Sequence, residues 1–207
     1  MIHSYVELGD THKDVLCEIG NIGAGNAATS LSAMIEGGVG ISVPRVMVLD
    51  YDSAVRAVGN PEELGIAIMI RYSGDVSGIV LFMLGHEDAK GIAEMLMSGG
   101  SEGLTEDLSD MKVSSIKEIG NILGSAYIGS ISTLTGLRLG ISVPYVSIGM
   151  LGAIMSVPMI EFAIDNSKIM MVDETFIIGT HRLLSHVILF ADVPSLNLIL
   201  SRLGIDA

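Results

Sequence analysis

Two short stretches of the chain combine a carboxylate and a carboxamide at the spacing of one helical turn. Glu18 and Asn21 are three residues apart, and Glu118 and Asn121 repeat the arrangement 100 residues later. Side chains three apart share one face of an α-helix. A carboxylate accepts hydrogen bonds and pairs with cations, whereas a carboxamide both donates and accepts. Each pair is suited to contact a partner, although polar residues at this spacing usually form an ordinary solvated helix face.

A third polar residue extends each pair on the same face. It stands four positions before the glutamate, as Asp14 in the first copy and Ser114 in the second. Asparagine is a poor helix former, so solvation alone does not require it in both stripes, although common descent could leave it there. The two polar stripes are therefore the first candidate site residues: Asp14, Glu18, Asn21, Ser114, Glu118 and Asn121.

The stripes belong to a longer internal repeat. The pentapeptides 18–22 and 40–44 return unchanged at 118–122 and 140–144, and positions 17–46 match 117–146 at 13 of 30 places without a gap. Two identical pentapeptides at one offset indicate a duplication. We expect a single domain over 1–207, built from repeats at approximately 10–100 and 110–207 that are related by a pseudo-two-fold axis.

Hydrophobic periodicity predicts the same order of elements in both halves. Asp10 or Thr11 is expected to cap the first helix, and Gly37-Gly38 to end it. The fold class is therefore α/β, an α/β sandwich with helices packed on a β-sheet. The predicted helices are 11–35, 86–97, 112–135 and 194–204; the strands are 39–49, 66–71, 78–84, 138–148, 168–178 and 184–191; and 98–110 is a polar connector.

Composition excludes several classes of function. The chain has 24 acidic and 11 basic residues and a net charge of −13, which argues against nucleic acid as a partner. One cysteine excludes an intramolecular disulfide and suits a reducing cytoplasm. Residues 139–160 carry no charge, but Pro144 and Pro158 divide them. We interpret that stretch as a strand, a turn and a short apolar helix, not as a membrane span.

Other chemistry is weakly supported. The glycines between Gly20 and Gly25 follow a helical stretch and break the dinucleotide-loop spacing. A cysteine phosphatase needs an arginine in a nearby phosphate loop, and none lies between Cys17 and Arg45, which favours an inert thiol. The five histidines form no metal-binding motif, so no metal site is expected.

The two stripes, together with Pro44 and Pro144, resemble a known signature. Asp14-x3-Glu18-x2-Asn21-x22-Pro44 and Ser114-x3-Glu118-x2-Asn121-x22-Pro144 are similar to the motif of the CheC/CheX/FliY phosphatases of chemotaxis. The resemblance covers nearly the whole chain, and two intact copies point to CheC-type members. It implies an enzyme, a cytoplasmic protein aspartyl-phosphate phosphatase (hydrolase) that acts on the phosphorylated response regulator CheY.

The resemblance also implies roles for the residues. Asn21 and Asn121 would hold the attacking water, Glu18 and Glu118 would pair with the regulator's lysine, and Asp14 and Ser114 would support them. Pro44 and Pro144 are expected to shape the strand. No cofactor is expected on this chain, because the phosphorylated regulator supplies Mg²⁺.

Residues 150–155 provide a second candidate surface, and a non-catalytic role is the second candidate function. Met150, Leu151, Ile154 and Met155 form either ordinary core or, since adaptable methionines suit partner binding, a docking surface. The resemblance suggests the deamidase CheD as its partner. The alternative to an enzyme is a non-catalytic adaptor that binds CheY or CheD, or a flagellar-switch component. After the second motif, Tyr127 is expected to crowd close packing or the approach of a partner.

Overall fold

The secondary structure combines two long helices and several shorter ones with antiparallel strands of three to eleven residues. The computed structural model describes residues 2–34, 38–42, 45–85, 110–162, 168–178 and 181–205. Besides a 3-10 turn at Tyr5–Glu7, the helices are α1 (Asp10–Ser32), α2 (Tyr51–Val58), α3 (Asp110–Thr135), α4 (Leu151–Phe162) and α5 (Val193–Arg202). The strands are β1 (Val39–Ile41), β2 (Arg45–Asp50), β3 (Leu64–Gly74), β4 (Gly78–Gly85), β5 (Leu139–Ile141), β6 (Tyr145–Met150), β7 (Lys168–Ile178) and β8 (His181–Ala191).

All eight of these strands join one antiparallel sheet, in which β4 and β8 pair at the centre. The strand order is β1-β7-β8-β4-β3-β5, with β2 also paired to β7 and β6 also paired to β3. The registers of the two halves match. Ile41 lies opposite Phe176, as Ile141 lies opposite Tyr72. The short strands β1 and β2 of the first half therefore pair with β7 of the second half. In the same way β5 and β6 of the second half pair with β3 of the first.

Helices cover both faces of the sheet, which confirms the predicted α/β class. Alternate β3 residues, including Ile66, Ile68 and Ile70, face a core shared with α1, α3 and α5. Ala67 of β3 faces the opposite core, which Leu151 and Met155 of α4 share with α2. The motif helices α1 and α3 thus lie on the same face of the sheet and pack against each other.

Most predicted elements are confirmed, with shifts at their ends. Neither Asp10 nor Thr11 caps α1: Gly9 is the N-cap, and its N–H donates to Nδ1 of His12 at 3.1 Å. The helix ends at Ser32, short of the predicted glycine pair. Strand 39–49 is divided into β1 and β2, as its broken alternation indicates. The predicted helix 86–97 and all but the last residue of the connector 98–110 lie outside the described residues.

Helix α2 is absent from the sequence-based prediction, although a capping signal marks it. Asp50 is its N-cap, and the Asp50 carboxylate accepts a hydrogen bond from the N–H of Ser53 at 2.8 Å. Asp192 caps α5 in the same way through the N–H of Ser195. Aspartate is a favoured N-cap residue, because its carboxylate accepts a hydrogen bond from a backbone N–H of the first helical turn. The eight residues of α2 are too few for periodicity to reveal.

The uncharged stretch 139–160 forms β5, β6 and most of α4, in agreement with its interpretation as strand, turn and helix. Within the described ranges, none of the helices has the length and apolarity needed to cross a bilayer.

Candidate active site

Both polar stripes lie on exposed helix faces. On α1, Asp14, Glu18 and Asn21 are exposed, while Leu16 and Ile19 are buried against the sheet. The helical period alone produces this division, because residues three or four apart share a face. In α3 the same pattern holds, with the polar members solvent-facing and the intervening apolar members buried: Ser114, Glu118 and Asn121 against Ile116, Ile119 and Leu123.

The second motif opens into a groove of about 410 Å³. One wall comes from α3 and the other from the segment that joins β5 to β6. Glu118 and Asn121 are on the helix wall, and Pro144 is on the segment wall. The complete lining is Ser114, Lys117, Glu118, Asn121, Ile141, Ser142, Val143 and Pro144.

Gly120, directly before Asn121, is the point at which α3 packs against Ile68 and Pro144. A Cβ on Gly120 would lie 2.4 Å from Cγ2 of Ile68, closer than real Cβ atoms approach, and 3.1 Å from Cβ of Pro144, which is an unusually tight contact. The missing side chain lets α3 pack closely on β3 and lets the buried Pro144 pack against Gly120, next to Asn121 in the sequence. Pro144 thus shapes the groove from the loop between β5 and β6. Pro44 lies outside the described residues, so the corresponding wall of the first site is not described.

The glutamates and asparagines of the two motifs have no competing side-chain partners within the described part of the chain. The side chains of Glu18, Asn21, Glu118 and Asn121 form no hydrogen bond or ion pair with other described residues. A carboxylate and a carboxamide held on a rigid helix without internal partners keep their hydrogen-bonding capacity for another molecule. This separates the stripes from a polar network that merely stabilises the fold.

The two sites differ in one charged residue that the sequence analysis did not single out. Lys117, which directly precedes Glu118, is exposed and lines the second groove. The equivalent position in α1 is Cys17, which is half-buried. The signal for Lys117 was present in the aligned repeats, as a cation in one copy where the other has a thiol. Only the groove shows that this position belongs to the site.

Tyr127 does not crowd the approach of a partner, contrary to expectation. Its ring is buried between the motif helices, where Gly23 leaves room for it: a Cβ on Gly23 would lie 2.9 Å from Cδ1 of Tyr127. The ring also meets Phe82 edge-on, with centroids 5.5 Å apart. Its hydroxyl donates a hydrogen bond to the buried Glu174. Tyr127 therefore belongs to the core beneath the site.

Glu174 is an acid in an apolar setting. Only 1% of its surface is exposed, and its Oε1 has no hydrogen-bond partner in the described structure. Burial raises the pKa of Glu174 to about 8, against the opposing effect of the Tyr127 hydroxyl. The same burial, together with the Glu174 carboxylate, raises the pKa of Tyr127 well above its ordinary value. This pair lies in the interior and takes no part in the exposed stripes.

Of the two interpretations of Met150, Leu151, Ile154 and Met155, ordinary core applies to three of the four residues. Leu151, Ile154 and Met155 are buried in the core beneath α4, because they form the inward stripe of that helix. Met150, at the end of β6, is 50% exposed. The outward apolar residues of α4 are instead Val157 and Ile160, which are 53% and 75% exposed.

No cluster of metal-binding character accompanies the stripes. Among the described residues, no group of three or more histidine, cysteine, aspartate or glutamate side chains is placed to hold a metal ion.

Comparison with known proteins places these features in a family. The family model described as "CheC-like family" matches residues 12–48 and 111–148, which contain both motifs and both prolines. The CheY-P phosphatase CheC of Bacillus subtilis is 30% identical over 195 residues, or 92% of this chain and 93% of that protein. The chain belongs to the CheC-like family.

Two further proteins are similar to this chain, one in sequence and one in structure. The flagellar motor switch phosphatase FliY of B. subtilis is 30% identical over 142 residues, which are 69% of this chain but 37% of that longer protein. The X-ray structure of Thermotoga maritima FliY superposes with a TM-score of 0.78 at 23% identity, over 96% of this chain and 98% of that one. At that identity the structure supports the fold, and the argument for chemistry rests on the motif residues themselves.

Proposed function

We propose that this protein hydrolyses the phospho-aspartate of the response regulator CheY. The observation that carries the proposal is the two exposed glutamate–asparagine pairs, whose side chains have no partner among the described residues and one of which borders an open groove. The name of the B. subtilis relative, CheY-P phosphatase CheC, supports it at 30% identity over most of both chains. The substrate implies work in the cytoplasm, where response regulators are phosphorylated.

The chemistry needs little from the chain beyond positioning. Water attacks the phosphorus, the bond from phosphorus to the aspartyl oxygen breaks, and aspartate and inorganic phosphate leave. Phosphoryl transfer of this kind depends mainly on in-line geometry and charge stabilisation. The Asn121 carboxamide can accept a hydrogen bond from that water through its oxygen and donate one through its nitrogen, which fixes its orientation.

Glu118 sets the register of the complex. It lies one turn before Asn121 on the same exposed face of α3 and is free of ion pairs with described residues. A charge-assisted contact with the lysine of the regulator's active site would hold the asparagine over the phosphoryl group. Glu18 and Asn21 have the same relation on α1. The regulator brings its own Mg²⁺, and neither role asks this chain to hold a metal.

Loss of both asparagines is the decisive test. Release of inorganic phosphate from phosphorylated CheY with Mg²⁺ is measured for wild type, Asn21→Ala, Asn121→Ala and the double variant. Removing a positioned catalytic group costs on the order of 100-fold in rate. We expect each single variant to retain activity through the other site and the double variant to fall by about that factor.

The control is Thr133→Ala, which changes an exposed polar residue of α3 more than three turns beyond Asn121 and should leave the rate unchanged. A double variant that still binds CheY and is as fast as wild type would remove the asparagines from the mechanism. A wild-type protein that binds CheY without accelerating its dephosphorylation would support the adaptor function instead.

For CheD we propose docking on the outward face of α4. Val157 and Ile160 form an exposed apolar stripe there, and Met150 stands beside it at the end of β6. This helix lies on the sheet face opposite the motif helices. We expect Val157→Asp to lower capture of CheD by about tenfold or more, as loss of a buried apolar contact does, while phosphate release stays unchanged. Equal capture by both proteins would exclude this face.

A further inference from the structure

Lys117 is the cationic side chain of the second groove. It lines the same cavity as Glu118 and Asn121, and it is one helical turn before Asn121. Its own helical neighbours at three and four residues are Val113, Ser114, Gly120 and Asn121, none of which is acidic. Its ammonium group has no ion-pair partner among the described residues.

The same positions of α1 have the opposite electrostatic character. There Asp14 and Glu18 contribute two negative charges, and the place of the lysine is taken by Cys17. In α3, Ser114 is uncharged and Lys117 balances Glu118, so that stripe has no net charge. The difference is local to the sites and lies on a chain whose net charge of −13 already repels anions.

A phosphoryl group bound to either site brings roughly two negative charges at neutral pH. A glutamate beside the asparagine opposes that charge. In the first site the cation of α1 nearest the stripe is Lys13, which lies one turn before Cys17 and pairs with Asp10 at 3.8 Å, and no cation stands at the position of Lys117. In the second site the Lys117 ammonium, a compact cation with three donors on a flexible stem, can reach a phosphoryl oxygen while Asn121 orients the water. Such a contact acts on binding of the phosphorylated form and leaves the attack geometry to the asparagine.

We propose that Lys117 binds the phosphoryl group of the phosphorylated regulator and thereby makes the second site the tighter of the two. The inference rests on the proposed function, because it names what the second groove recognises. It also explains the replacement of Cys17 by a lysine within an otherwise repeated stretch.

The test isolates each site before it changes the lysine. The double variant Glu18→Ala/Asn21→Ala has only the second site intact and is called the second-site protein. The double variant Glu118→Ala/Asn121→Ala has only the first site intact and is called the first-site protein. In the second-site protein, Lys117→Ala should raise KM for phosphorylated CheY by about threefold to tenfold, with kcat within about twofold. Lys117→Arg should restore most of the KM. In the first-site protein Lys117→Ala should change nothing, whereas Cys17→Lys should lower KM by about threefold.

A binding measurement separates failure of this inference from failure of the phosphatase. Calorimetry with beryllofluoride-activated CheY and with unmodified CheY reports affinity without hydrolysis. We expect Lys117→Ala to weaken only the activated form, with a difference that shrinks as salt rises to about 0.5 M. Equal weakening of both forms, or no change in the second-site protein, overturns the inference. Normal lysine-dependent binding without phosphate release would refute the phosphatase alone.

The matched control removes a cation elsewhere. Arg56 is exposed on α2, on the opposite face of the sheet from the motif helices. Arg56→Ala changes the net charge by the same amount as Lys117→Ala. It should leave KM and affinity unchanged, and an equal loss there would assign the effect to overall charge and overturn the role of Lys117.

Discussion

The two motif helices have matching exposed faces and different buried ones. Outside, α1 and α3 each present a glutamate and an asparagine one turn apart. Inside, α1 carries the small residues Gly23 and Ala27 where α3, 100 positions later, carries Leu123 and Tyr127. Tyr127 of α3 fills the space that Gly23 of α1 leaves. The repeat is therefore retained on the exposed faces of the two helices and has diverged where the two helices touch.

The long strands β3 and β7 also differ at an equivalent buried position. The matching registers make Ile70 of β3 the counterpart of Glu174 of β7, since each stands two residues before the partner of a repeated isoleucine. Ile70 packs against α3 at Gly124, where a Cβ would lie 2.4 Å from its Cδ1. Glu174 instead receives the hydroxyl of Tyr127. A chain that folds on itself in this way needs no internal symmetry, only volumes and hydrogen bonds that agree across the interface.

The largest expected effect comes from the contact of Tyr127 with Gly23. Tyr127→Ala removes a buried ring and should lower the free energy of unfolding by about 3–5 kcal/mol. Gly23→Ala should cost about 1–3 kcal/mol, because its new Cβ would meet Cδ1 of Tyr127 at 2.9 Å. In the Tyr127→Ala background that clash is gone, and the same change should become neutral or stabilising. Urea unfolding of the four proteins measures this coupling.

Gly25→Ala serves as the control for helix propensity. No atom lies within 4 Å of its ideal Cβ position, so the substitution should stabilise α1 by up to about 1 kcal/mol in either background. A Gly23→Ala cost that is the same with and without the tyrosine would show that the two halves are not complementary at this point.

Much of this fold could be predicted because duplication and periodicity repeat the same signals. The predicted strands 66–71 and 78–84 lie within β3 and β4, and the helical period identified α1 and α3. The complementarity of Gly23 and Tyr127 could not be predicted, since it depends on which helix packs on which. Leu151, Ile154 and Met155 show the same limit: α4 is apolar on both faces, so sequence alone did not reveal which stripe points inward.

The candidate site divides in the same manner. Its glutamates and asparagines could be recognised from spacing, because a helix converts spacing directly into a shared face. Lys117 and the wall around Pro144 could not, since they join the site through tertiary contact between α3 and the segment after β5. Gly120 appeared as one more repeated residue until its distance from Ile68 showed that it sets how deeply the helix lies.

The smaller expected effect concerns the buried acid of the second half. The pKa of Glu174, raised by burial to about 8, lies above its ordinary value of 4.5 in the unfolded chain. The folded protein therefore binds the proton more tightly, and this stabilisation is complete below about pH 4.5 and is lost as pH rises through about 8. Glu174→Gln keeps the shape of the neutral acid and cannot ionise.

We expect wild type and Glu174→Gln to have similar stability near pH 5 and the variant to be more stable by up to about 4 kcal/mol near pH 9. Urea unfolding of both proteins across that range measures the difference, in which the titration of all other groups cancels. Ile70→Val is the matched change at the equivalent position of the first half. It should lower stability by about 1 kcal/mol at every pH, because it removes one methylene and no ionisable group. Parallel curves for wild type and Glu174→Gln would mean that burial does not raise the pKa of the Glu174 carboxyl, so that the second half would bury a carboxylate charge where the first half buries the neutral Ile70.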